Sequence, residues 1–88
     1  MKLKGEYVLR QIDGQTLVVP VGEAALALNG MVCLNSPAAE IWACLERELD
    51  RPAILAHLLD TFAVGPAEAA RDLEEFLQEL ENYGFLAV

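Results

Sequence analysis

The sequence predicts a small α+β domain, a three-stranded antiparallel sheet followed by three helices. Three observations predict it. β-branched and aromatic residues crowd positions 6–21 around an Asp-Gly pair. At residue 35 the apolar spacing changes from a period of 2 to a period of 3.6. The chain has 88 residues, enough for one domain spanning 1–88 and not for two.

Each element has its own local reason. Glu6–Ile12 and Gln15–Val21 flank Asp13-Gly14, whose two positions suit the positive φ angles of a type I′ hairpin turn. Pro20 has no N–H for a ladder and belongs near a strand end or an edge. Gly22–Leu28 is Ala-rich and fits either class, and Asn29-Gly30 is a second turn signal. Met31–Leu34 reads as a short third strand. Leu34 and Val32 share its inner face, and Met31 and Cys33 share the other. Ser36 is the expected N-cap of the first helix, with Pro37 at its first position. Ala38, Ile41, Trp42, Leu45 and Leu49 fall on one face of that helix. The second helix opens at Asp50-Arg51-Pro52 and carries Ile54, Leu55, Leu58, Leu59 and Phe62 inward. Val64-Gly65-Pro66 ends it and starts the third, over 66–83, which buries Ala69, Ala70, Leu73, Phe76, Leu77 and Leu80. Gly84 suits a left-handed C′ position, and Phe85 folds back on Leu80. The remaining tail is short and extended. This order of elements suggests a winged helix-turn-helix.

Charge narrows the partners. Fourteen acidic residues face six basic ones, for a net charge of −8, and residues 66–88 alone sum to −5. Such a surface repels nucleic-acid phosphates and anionic lipid and attracts basic protein. Within the third helix Arg71 is the single basic residue, which argues against the DNA-binding use of this fold. No apolar run is long enough to span a bilayer, and the N-terminus lacks the apolar stretch of a signal peptide. A cytoplasmic protein that meets neither membrane nor nucleic acid is expected.

Catalytic signals are sparse. Cys33 and Cys44 lack a metal-ligand spacing and read as buried thiols. His57 lies off the apolar stripe of the second helix and reads as a solvated surface residue. No nucleophile–base spacing and no glycine-rich phosphate loop is present. The expectation is a non-catalytic protein with no metal and no cofactor.

Binding features remain. A three-stranded sheet leaves edges that an extended peptide can extend by strand addition, unless Gly22–Leu28 or a dimer mate covers them. The stripe Leu73, Phe76, Leu77 and Leu80 reads either as core or as the wall of a groove beside the third strand.

Several strings, taken in order, resemble the PqqD family, the small proteins of pyrroloquinoline quinone biosynthesis and their stand-alone relatives. They are Tyr7-Val-Leu-Arg-Gln-Ile-Asp-Gly, Leu17-Val-Val-Pro-Val-Gly22 and Asn29-Gly-Met-Val-Cys-Leu-Asn35. Ala39-Glu-Ile-Trp42, Leu58-Leu-Asp-Thr-Phe-Ala-Val64 and Asp72-Leu-Glu-Glu-Phe-Leu-Gln-Glu-Leu80 follow, and Tyr83-Gly84-Phe-Leu closes the series. The resemblance implies a RiPP recognition element. Such a domain binds the leader segment of a ribosomally made precursor peptide and presents it to a tailoring enzyme, commonly a radical S-adenosylmethionine enzyme. By position, Met31, Val32, Cys33 and Leu34 would be the receiving strand. Leu73, Phe76, Leu77 and Leu80 would line the cleft, and Arg71 and Asp72 would be its polar anchors. Related elements often use basic residues on the third helix to meet acidic leaders, whereas this helix offers only Arg71, which points to a neutral or basic leader. The competing readings are a winged-helix regulator that binds DNA and a homodimeric interaction module built on the strand edge.

Overall fold

The change of period at residue 35 divides the molecule. In the computed structural model, which describes residues 2–22 and 32–87, five strands and three helices follow in the order β1 (Lys2–Leu3), β2 (Glu6–Ile12), β3 (Gln15–Val21), β4 (Val32–Leu34), α1 (Ser36–Glu46), α2 (Arg51–Thr61), α3 (Pro66–Tyr83) and β5 (Leu86–Ala87). The main sheet is antiparallel, in the order β2-β3-β4. Asp13 and Gly14 take φ of 51° and 78° between β2 and β3, as a type I′ turn requires. The Ala-rich stretch after Gly22, the Asn29-Gly30 turn and Met31 lie outside the described residues.

The C-terminal tail is more than an extended end. It forms β5 and pairs antiparallel with β1, Leu3 opposite Leu86, and Lys4 N–H donates to the Phe85 carbonyl at 2.7 Å. This ribbon follows directly from the end of α3. Gly84 adopts φ 84°, its N–H donates to Glu81 and that of Phe85 to Leu80, which is the full Schellman arrangement. Phe85 and Leu86 are thereby buried.

The core joins Val18 and Leu34 of the sheet to Ile41, Trp42 and Leu45 of α1, Ile54 and Leu58 of α2, and Leu73, Leu77 and Leu80 of α3. Trp42 sits edge-on between Tyr7 and Phe85, with ring centroids 4.9 and 5.5 Å away. Leu59 departs from the predicted stripe and is exposed. Cys44 is buried, as expected, whereas Cys33 is exposed. Alternation accounts for this, because an inward Leu34 sends Cys33 to the opposite face. His57 is also not simply solvated: its Nε2 lies 2.8 Å from Glu40 Oε2 and ties α2 to α1.

One backbone feature has no sequence signal. Glu48 closes α1 with φ 57°, and Leu49 N–H donates to Cys44 and Glu48 N–H to Leu45. This is the same closure that Gly84 gives α3, made here by a residue with a Cβ. Replacing Glu48 by Gly should raise stability by about 1 kcal/mol, read as a higher urea midpoint at unchanged slope.

Tyr7 supplies a second test. Its hydroxyl donates to Glu46 Oε2 at 2.7 Å. Burial, with the Glu46 hydrogen bond and charge behind it, pushes the phenol from 10.0 up to about 12. Folding thus favours the neutral phenol. That contribution is complete below about pH 10 and is lost as pH rises through about 12. Thermal melts of the protein and of Tyr7→Phe should differ most near neutral pH and converge at strongly alkaline pH.

Candidate functional site

β4 is short, and β3 occupies one of its edges through the pairs Thr16–Leu34, Leu17–Cys33 and Val18–Val32. Among the described residues no strand lies on its other edge. Successive residues of an antiparallel strand aim their N–H and C=O groups at alternate sides. Either Cys33 or its neighbours Val32 and Leu34 therefore present unpaired backbone groups outward.

That edge borders a groove of about 400 Å³. Val32 and Cys33 form one wall with Gln15 of β3, whose Oε1 accepts from Cys33 Sγ at 3.2 Å. The floor is the start of α1, through Asn35, Pro37, Ala38 and Ile41. The far wall is α3, through Asp72, Glu75, Phe76 and Glu79. α3 packs chiefly on α2 and β5, and the groove lies between its Asp72–Glu79 face and β4.

The floor is fixed by a cap one residue earlier than the sequence reading places it. Asn35, extended at φ −74° and ψ 177°, accepts from Ala38 N–H through Oδ1 at 3.0 Å. Ser36 is the first helical residue and Pro37 the second, so Ser36 is not the cap. Both residue types cap well, and only the backbone geometry separates them.

The residues named from the sequence divide into three groups. Val32, Cys33, Asp72 and Phe76 line the groove. Leu34, Leu73, Leu77 and Leu80 are core, each at most 2% exposed. Leu34 thus adds backbone to the edge but no side chain to the groove, and Leu73, Leu77 and Leu80 do not line it. Arg71 is exposed and outside the groove, and Met31 lies outside the described residues. The physical reason is helical geometry: positions 69, 73, 76, 77 and 80 face the core, and positions 72, 75, 76 and 79 face the groove beside it. Phe76 serves both, at 9% exposure. Glu75 and Glu79 went unnamed, yet each sits three or four positions from Asp72 or Phe76, a spacing that points to them.

Charge in the groove is of one sign. Among the described residues its lining contains three carboxylates and no Lys, Arg or His. Glu74, on an adjoining face of α3, is already paired with Arg51 at 2.7 Å. Among the described residues no ion pair reaches Asp72, Glu75 or Glu79. Nor is any group of three or more His, Cys, Asp and Glu placed there to hold a metal ion.

The family model for coenzyme PQQ synthesis protein D (PqqD) matches residues 6–86. The chain belongs to the PqqD family. A solved structure described as TbiB1 in complex with the TbiA(beta) leader peptide has the same fold, with a TM-score of 0.78 and 23% sequence identity. The match covers 98% of this chain and 94% of that one. No curated protein sequence matches the chain. The observed fold has the predicted three-stranded sheet and three helices, and the β1–β5 ribbon adds to that plan.

The cap assignment is directly testable. Asn35→Ala should cost about 1 kcal/mol in urea unfolding, and Ser36→Ala should stay within about 0.5 kcal/mol of the parent.

Proposed function

We propose that this protein is a non-catalytic peptide-binding adaptor. In this reading an extended leader segment of a ribosomally made precursor adds to the outer edge of β4 and lies in the groove against α3. The observation that carries it is the edge of β4 that no described strand occupies, beside a groove whose far wall is α3. Family membership supports it, as does a neighbour of the same fold solved with a leader peptide. Val32, Cys33 and Leu34 supply backbone groups, Phe76 supplies apolar surface, and Asp72 is a polar anchor.

Strand addition suits an adaptor. Main-chain bonds hold a peptide of varied sequence, and the pockets between them select a few side chains. Ordering a flexible peptide offsets much of the gain, so binding stays reversible. A tethered precursor then meets its tailoring enzyme at raised effective concentration. A radical S-adenosylmethionine enzyme is the partner class proposed, in the cytoplasm where precursors are made. Among the described residues no helix is long and apolar enough to cross a membrane. The acidic face of α3 disfavours the DNA-binding alternative.

Amide chemical-shift titration with leader peptides from short reading frames beside the gene tests the reading. Shifts should concentrate on residues 32–35 and 72–79. Val32→Pro and Cys33→Pro should be measured as a pair, because one of them must remove an outward donor. At least one should weaken binding by tenfold or more (about 1.4 kcal/mol) with the helical shifts unchanged. Full binding by both variants in a folded protein overturns strand addition. Light scattering distinguishes a homodimer built on the same edge, which peptide should dissociate.

A further inference from the structure

Resting on the strand-addition reading, we infer that the segment seated in this groove is basic, carrying Lys or Arg on the side that faces α3. The groove is bounded on that side by Asp72, Glu75 and Glu79, which no cation of the described residues approaches within ion-pair distance. Arg71, the helix's single basic residue, points elsewhere.

An acidic or strongly electronegative segment would bring like charges together as the groove loses water. Such juxtaposition is a strong penalty against the wrong partner. A neutral segment would desolvate the carboxylates without replacing their water. A basic one pairs with them. The spacing also suits an extended chain. At 1.5 Å per residue, positions 72 to 79 spread over roughly 10 Å of helix. Same-face side chains of a strand recur every ~6.7 Å. Two basic residues separated by one other therefore address all three carboxylates. Apolar selection falls to Phe76, with Ala38 and Ile41 beneath it, so one apolar side chain beside the basic pair completes the fit.

The test uses the full chain and three synthetic peptides with one extended, valine-rich framework. They differ only at two alternate positions, occupied by Lys, Gln or Glu. Amide shifts locate each peptide and give its affinity in low salt and in about 0.5 M salt. The Lys peptide should bind at residues 32–35 and 72–79, about tenfold tighter than the Gln peptide and more so than the Glu peptide. High salt should remove most of that preference. So should the combined variant Asp72→Asn, Glu75→Gln, Glu79→Gln, which changes exposed or half-buried side chains and leaves the core intact. If the three peptides bind equally at the β4 edge, the basic-segment inference is overturned and strand addition stands. If none of them shifts residues 32–35, both are overturned.

Discussion

The burial of Leu34 fixes the geometry on which the site depends. A three-residue strand has little stability of its own. β4 is held on one side by β3 and from beneath by Leu34, which enters the cluster containing Ile41 and Trp42. Burying such a side chain contributes roughly 1.5–3 kcal/mol. The next residue, Asn35, caps α1. The end of the strand and the start of the helix are thus locked within two residues, and the angle between them becomes the corner of the groove. Among the described residues, the contacts that hold the strand come from its other edge and its inner face, and no strand occupies its outer edge.

α3 is constrained just as strongly, from the opposite direction. An 88-residue chain has a modest core, and it cannot spare the apolar face of its longest helix. Ala69, Leu73, Leu77 and Leu80 are all committed to packing. Only Phe76, at the boundary of that stripe, is shared with the groove. The rest of the groove wall is consequently acidic. The balance of chemistry on the α3 wall, one aromatic ring against three carboxylates, follows from how much of the helix the fold already uses.

The readable and unreadable parts of the molecule separate along physical lines. The Asp13-Gly14 turn, the three helices and the Gly84 closure were legible because each rests on local chemistry: positive φ, a 3.6 period, proline at a helix start. The β1–β5 ribbon was not, since two two-residue strands 84 positions apart carry no pattern of their own and depend on α3 delivering Phe85 to Trp42. The left-handed Glu48 was invisible because its residue type argues against the conformation. At the site, strand Val32–Leu34 could be named from sequence, whereas the division of α3 into core and groove faces could not. Leu73 and Phe76 are equally apolar, and only the placement of α3 relative to α2 and β4 decides which one meets the groove.

The same scaffold could serve quite different partners, and electrostatics rather than topology separates them. A winged helix that reads DNA needs cations on its third helix to replace those condensed on phosphate. Here that helix places acids on the face toward the groove and on the face toward Arg51 alike. Backbone hydrogen bonding at the β4 edge is indifferent to sequence, so it can hold a peptide without choosing one. Choice must come from the opposite wall. With Phe76 the single apolar contact that α3 offers, the proposed strand addition leaves discrimination to the carboxylates, which would act mainly by refusing segments of their own sign.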